Sequence, residues 1–395
     1  MMNIIYGYSN CTDKKYKEIV SENNVAVLMP DQKYHGLLIK GFSKNNVLVK
    51  CLSGLPINRA VTERKFIRET DEQEGNAQFH YYTTLNIPGI RQVSIFVAAL
   101  WNTLRIKRAK EFYAICDCLN IANAYGILIG CKLRNIPIVT IVTDLPDMMS
   151  ENKLLRNVNN SLLKHMDGFI FLTEQMNGRL NKKNKPYIVL EGHVDAEAEY
   201  VEVNKKWELE NGKKIIIYAG SIFKLYGIQN LVEGFLQANI EDAELWIYGD
   251  GDYRDELIEI TKVNSKVKYF GVKPNKEIVD AEMRAALLVN PRPIAPEYTK
   301  YSFPSKNMEY MVSGTPLLTT KLPGMPEEYI PFIYLIDDES PKGMAEVLTR
   351  TLNLSFNERK EKADQARNFV IKYKTNVEQA RKIVHFLKEK VEKNE

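Results

Sequence analysis

With 395 residues, 45% of them hydrophobic and 26% charged, the chain has room for two ordinary domains and contains no low-complexity tract. A formal charge of +4 over this length, with no basic block and no RNA-binding aromatic signature, argues against nucleic acid as a partner. The modest basic balance remains compatible with an anionic membrane surface or a phosphorylated substrate.

The opening MMNIIYGYSN has no basic region ahead of its apolar residues and reads as a first strand, not as a signal peptide. Six further β-rich runs follow: NVLVKCLS, FHYYTT, FYAICDC, IPIVTIVT, GFIFL and YIVL. Helical patterns fill the gaps, as around Val93 to Lys110 and Leu119 to Arg134. The longest apolar stretch, Val93 to Trp101, is about half of what a membrane-spanning helix needs. Cysteines 11, 51, 116, 118 and 131 form an odd, scattered set, and buried thiols explain them better than a bridge or a metal site. These features together predict a cytoplasmic protein.

From Asp195 to Lys214 the chain is charged and aperiodic, which predicts a linker at 196–213 between a first domain, 1–195, and a second, 214–372. The second half repeats the rhythm with KKIIIYAG, AELWIYG, KVKYFG, ALLVN, TPLLTT and FIYLID. Strands alternating with helices imply an α/β protein of two doubly wound parallel sheets, whose ligands bind beyond the carboxyl ends of the strands. In the last helix, Val377, Ala380, Val384, Leu387 and Val391 form one apolar stripe, so 373–395 is expected to pack back on the first domain.

Candidate chemistry concentrates at the strand ends of the second half. After KIIIYA, the residues Gly220, Ser221 and Lys224 precede a helix opening near Gly227, a loop in which backbone N–H groups can approach a phosphate. A tight strand-to-helix turn explains the same glycines. Tyr248 and Gly249 begin YGDGD, where Asp250 and Asp252 resemble a metal-binding D-x-D pair but sit where a turn wants Asp and Gly. Gly271 and Val272 end the next strand and offer backbone groups to a base. In YSFPSKNMEYMVSGTPLLTT, Tyr301, Phe303, Pro304 and Ser305 lead into a helix that Gly314 closes and Pro316 stops. Helical spacing places Ser305, Lys306 and Glu309 close together, so a diphosphate would meet the helix start and Lys306, and a ribose diol would meet Glu309. A capped surface helix carrying a Lys306–Glu309 pair is the competing explanation.

The succession G-S-x-x-K-x-x-G, Y-G-x-G, F-G-V and S-F-P-S-K-x-x-E-Y-M-x-S-G-T-P-L-L resembles the donor half of retaining, family-4-type glycosyltransferases with the GT-B fold. The likeness covers residues 214 to 353 well and the preceding half loosely. It implies an NDP-sugar donor, a glycan or lipid-linked acceptor, no resident cofactor or metal, and a role in bacterial cell-surface polysaccharide synthesis, with peripheral contact at the inner face of the membrane as an option. Glu309 then matches the ribose-gripping second glutamate of the family's E-x7-E motif, while Tyr301 stands where the first glutamate is usual and Glu297 is a substitute for it. Ser221 and Tyr226 occupy the positions of the family's usual arginine and lysine, which leaves Lys224 and Lys306 as the candidate phosphate cations. In the first half Asp144 matches the aspartate of a sugar-contacting His-Asp pair, with Thr143 in place of the histidine. Gln32, Lys33 and His35 resemble the family's first-helix region and are expected at the cleft. Asp147 reads either as a cleft residue or as a helix N-cap, and His193 lies in the turn between domains. A GT-B epimerase or phosphorylase, a D-x-D metal-dependent transferase and a non-catalytic partner subunit are the alternatives.

Overall fold

The computed structural model describes residues 1–23, 30–59, 61–107, 111–149, 151–200 and 212–391. Most of the charged segment expected as a linker, 201–211, lies outside them. The chain divides into two compact units, Met1–Asp195 with Thr375–Glu395, and Ala196–Lys374.

The first unit runs β1 (Asn3–Gly7), α1 (Asp13–Asn23), α2 (Pro30–Lys44), β2 (Leu48–Ser53), β3 (Phe66–Ile67), β4 (Glu72–Glu74), β5 (Ala77–Tyr81), β6 (Thr84–Leu85) and α3 (Ile90–Arg105). It continues with β7 (Phe112–Asp117), α4 (Ile121–Leu133), β8 (Ile138–Val142), α5 (Pro146–Met149), α6 (Lys153–His165), β9 (Gly168–Phe171), α7 (Glu174–Leu180) and β10 (Tyr187–Val189). Its main sheet has the order β10-β9-β8-β7-β1-β2-β5-β4, parallel except where β4 pairs antiparallel with β5. The central strands are apolar along their whole length: all five residues of β8, IVTIV, are buried, as expected of strands covered on both faces.

The second unit runs β11 (Lys214–Ala219), α8 (Ile228–Ala238), β12 (Ala243–Tyr248), α9 (Arg254–Val263), β13 (Val267–Gly271), α10 (Asn275–Glu282), β14 (Leu287–Asn290), α11 (Ser305–Val312), β15 (Leu317–Thr319), β16 (Tyr334–Leu335), α12 (Pro341–Leu352) and α13 (Phe356–Tyr373). Its six-stranded sheet, β13-β12-β11-β14-β15-β16, is parallel throughout. Between β11 and β14 the strand order reverses, which is where open α/β sheets bind their ligands.

Helix α14 (Asn376–Phe386) returns to the first unit. The Thr375 side chain caps its start, accepting from the Glu378 N–H, and the Asn376 amide donates to the Leu37 carbonyl at 2.8 Å. Ala380, Ile383, Phe386, Leu387 and Val391 join the core formed by β1, β2 and α2. The buried face thus includes Ile383 and Phe386, which strict alternation of steps of three and four left out, while Val377 and Val384 are only half-buried; the last turn, Leu387–Val391, winds as a π-helix.

Candidate functional site

The turn after β11 is held by the next strand over. Gly249 has φ +130°, and a Cβ there would lie 1.8 Å from the Gly220 carbonyl oxygen, so only glycine lets the two strand ends touch. Gly220 N–H donates to the Tyr248 carbonyl at 3.0 Å, and the Tyr218 hydroxyl donates to the Ser221 carbonyl at 2.6 Å. Ser221 itself is exposed. A short 3-10 turn, Lys224–Tyr226, leads to Gly227, whose φ of +79° opens α8. Its missing Cβ would sit 2.1 Å from the Pro291 carbonyl oxygen, so the start of α8 is packed directly on the segment that follows β14.

Lys224 is turned toward α9. Its ammonium pairs with Glu256 and lies 5.8 Å from the centre of the Tyr253 ring, and its backbone N–H donates to Asp252 Oδ1 at 2.8 Å. The aspartates of the D-x-D stretch work within the same turn: Asp250 Oδ1 accepts from the Gly251 N–H at 3.0 Å, and Asp252 fixes the backbone of Lys224. At the end of β13, Gly271 has φ +66° and its carbonyl accepts from the Gly249 N–H at 2.9 Å. Val272 is exposed. Tyr248, in contrast, is buried and stacks on Phe270 with ring centres 4.9 Å apart, so it supports this edge from below.

Helix α11 begins at Ser305 with Pro304 as its N-cap residue, and no side chain caps its first N–H groups. The proline therefore precedes the first turn instead of forming part of it. Gly314, at φ +73°, ends the helix in the left-handed conformation usual after a C-terminus. Lys306 and Glu309 form an ion pair at 3.0 Å with both side chains about a third exposed. Burial works against the Lys306 charge, but the Glu309 and Glu282 carboxylates outweigh it and hold its pKa above the ordinary lysine value. The adjacent Tyr310 is buried, and its hydroxyl accepts from the Ala219 N–H at 2.9 Å and donates to the Ala219 carbonyl at 3.1 Å. This phenol ties α11 to the end of β11, the strand that leads into the glycine turn. Phe303 is buried against Tyr329, with ring centres 4.9 Å apart, and is a core residue instead of a ligand contact. Tyr301 is half-buried at the end of the 3-10 turn Glu297–Tyr301, and Glu297 opens that turn exposed.

A residue missed in the sequence stands beside this site. Arg292 stands just past β14, after Pro291, and its guanidinium carbon lies 4.4 Å from the centre of the Tyr226 ring and 6.0 Å from that of Tyr298. The available signal was its position, a basic residue just past the apolar run ALLVN, but its neighbours come from distant parts of the sequence.

In the first unit the expected ligand residues are placed differently. His35 is buried: Nε2 lies 3.3 Å from Asp117 Oδ2, and Nδ1 lies 2.6 Å from the Tyr6 hydroxyl. Gln32 is buried too, its amide donating to the Cys11 carbonyl at 2.6 Å and its oxygen accepting from the Cys11 N–H at 3.3 Å. Both side chains are bound into the protein interior, because α2 turns that face inward. Lys33 lies on the exposed face. Asp144 is exposed just beyond β8. Asp147 lies within α5 and pairs with Arg179 at 2.6 Å, so it is neither a cap nor an uncommitted cleft acid. His193 Nε2–H donates to the Tyr34 carbonyl at 2.9 Å. All five cysteines are buried free thiols.

Residues 201–369 match the family model for glycosyl transferases group 1, which places that family's domain in the second unit. An N-acetyl-alpha-D-glucosaminyl L-malate synthase of Bacillus anthracis is 24% identical over 145 residues, a match that spans 36% of this chain and 36% of that protein. Among solved structures, the sucrose-phosphate synthase of Thermosynechococcus elongatus aligns over 98% of this chain and 99% of its own, with a TM-score of 0.64 and 14% identity. Anabaena HepE in complex with UDP aligns over 98% and 100%, with a TM-score of 0.63 and 12% identity. The fold is GT-B, that of glycosyltransferases of known structure. The family-model match lies within its second unit.

Proposed function

We propose that the protein is an anomer-retaining, metal-independent glycosyltransferase that moves a sugar, hexosyl in type, from a nucleotide diphosphate to a glycan or lipid-linked acceptor in cell-surface polysaccharide synthesis. The observation that carries this reading is the placement of α11. Tyr310 fastens it to the glycine turn of β11, at the strand-order reversal, with Lys306 and Glu309 on its partly exposed side. A ribose diol offers two hydroxyl donors to the Glu309 carboxylate, and the diphosphate is drawn to the uncapped start of α11 and to Lys306. Departure of the nucleoside diphosphate leaves negative charge that such groups stabilise without a bound metal. HepE, a structural relative, was solved with UDP, which supports a nucleotide donor here. The acceptor side falls to the first unit, with Asp144 as its sugar-contacting candidate.

A lipid-linked acceptor calls for contact with a membrane, on its cytoplasmic side. On α3, Ile90, Val93, Val97, Trp101 and Leu104 are all exposed, while Ile95, Ala99 and Thr103 face the core. Such an apolar stripe beside Arg105 suits peripheral binding. No described helix is long and apolar enough to cross a membrane.

A thermal-shift panel of UDP-, GDP-, ADP- and dTDP-sugars with the intact protein and Glu309→Ala tests the donor site. One nucleotide is expected to stabilise the wild type and to lose about 10- to 100-fold in affinity on removal of the carboxylate. Stabilisation by none of them ends the donor reading, and equal stabilisation of both proteins removes Glu309 from the ribose. For the membrane surface, cosedimentation with vesicles containing anionic lipid should be lost in Trp101→Glu; unchanged sedimentation excludes α3.

A further inference from the structure

The family's usual arginine and lysine positions in the β11 turn hold Ser221 and Tyr226, and Lys224 is engaged by Glu256. Lys306 in turn is shared with Glu309. A donor diphosphate would thus meet cations already paired with carboxylates. Arg292 differs from both: among the described residues no carboxylate lies within 4.0 Å of it, and its Nε is buried without a hydrogen-bond partner. A buried, charged N–H donor without an acceptor is costly, and a ligand, an ion or a water that completes it offsets that cost. The neighbouring Tyr298 hydroxyl is likewise buried without a partner.

The position fits the same reading. Arg292 follows β14 and Gly220 follows β11, the two adjacent strands at which the sheet order reverses. The preceding Pro291 carries the carbonyl against which Gly227 packs, so the arginine stands at the turn opening α8. Its charge is felt at the Tyr218 hydroxyl, which bonds the Ser221 carbonyl of that turn: burial pushes the Tyr218 phenol up, and Arg292 pulls it back. With Tyr226 under one face of the guanidinium, the in-plane N–H donors remain for a planar or tetrahedral oxyanion, the geometry in which arginine grips phosphate in bidentate fashion.

We propose that Arg292, delivered from the end of β14, is a phosphate-gripping cation of this protein, acting with Lys306 and standing beside the uncharged Ser221 and Tyr226 of the β11 turn. The inference rests on the nucleotide-donor reading, from which its test separates it. Tyr226 then serves as the platform that orients the guanidinium, which accounts for an aromatic residue standing where a lysine is usual.

Isothermal titration of the full chain with UDP, GDP, ADP and dTDP, and with the nucleoside matching whichever binds, is run on wild type, Arg292→Gln and Arg292→Lys. The expected result is a loss of about 10- to 100-fold in diphosphate affinity for Arg292→Gln, with nucleoside affinity unchanged and Arg292→Lys in between. A wild type that binds no nucleoside diphosphate brings down the donor reading, and this inference with it. Binding by the wild type with equal affinity in both variants overturns the role of Arg292 alone. A parallel fall in nucleoside and diphosphate affinity also overturns it, since that is the mark of a merely structural stacking residue. If Arg292→Gln fails to fold, the comparison of wild type with Arg292→Lys decides the matter by the same criterion.

Discussion

At the ends of β1 and β7 in the first unit, His35, Asp117 and Tyr6 answer one another. Asp117 faces the imidazole at 3.3 Å and accepts from the Leu119 N–H at 2.7 Å, and the tyrosine hydroxyl meets the other ring nitrogen. The ring also stacks on Tyr8 with centres 3.7 Å apart. At the matching ends of β11 and β14 in the second unit, the charged groups lie partly exposed, and Arg292 Nε has no hydrogen-bond partner among the described residues. Both regions hold residues of the types that do chemistry. A cluster whose donors and acceptors are already matched stabilises the fold, whereas one with unmatched donors beside a glycine turn is built to receive something from outside. On the proposed reading, ligand binding falls to the second cluster and a structural duty to the first, and the contrast can be broken from either side.

The largest effect is expected on the structural side. His35→Ala leaves the Tyr6 hydroxyl and one Asp117 oxygen buried without a partner, at a cost of about 3 kcal/mol. Calorimetry should show a loss of about 6–12 °C in Tm, while the nucleotide affinity of the folded protein stays within twofold of wild type. A variant that keeps its Tm but loses activity would place His35 in the chemistry and reverse the comparison.

Tyr310→Phe probes the join between the two parts of the second site. The change deletes one donor and one acceptor to the Ala219 backbone, at a cost of about 1–3 kcal/mol. Because the phenol holds α11 to the β11 turn, nucleotide affinity should fall several-fold as well. Lost stability with full affinity would mean that Glu309 and the glycine turn serve different ligands.

How much of this was legible beforehand depends on how local the cause is. The long strands declare themselves because a run such as KIIIYA is apolar and β-branched and is bounded by turn residues. Strand β4 does not: Glu72–Glu74 is charged, and only its antiparallel pairing with β5 makes it a strand. The punctuation of α11 was readable because Pro304 and Gly314 act through their own backbone angles. Which polar groups remain available to a ligand was not readable. His35 sits in the polar-looking stretch PDQKYHG, yet α2 carries it inward to Asp117. Arg292 stands in an unremarked Pro-Arg-Pro, and its meaning comes from Tyr226 and Tyr218 on the far side of a strand pairing.

The smallest expected effect sharpens the structural half of the contrast. Burial, with the nearby His35 and Lys33 opposing the partly compensating Asp195, lowers the pKa of His193 from 6.5 to about 4. A base whose folded pKa is depressed takes up a proton more readily when unfolded, so its contribution is intact above pH 6.5 and is lost as the pH falls toward 4. The partial exposure that remains to the side chain tempers the size of the loss. His193→Gln, which can still donate to the Tyr34 carbonyl, should show a shallower decline in Tm between pH 6.5 and 4 than the wild type. Nucleotide affinity over the upper part of that range should match that of the wild type. Parallel melting curves would show that the imidazole titrates normally, and a matching pH dependence of nucleotide binding would link this histidine to the ligand and weaken the division of duties between the two clusters.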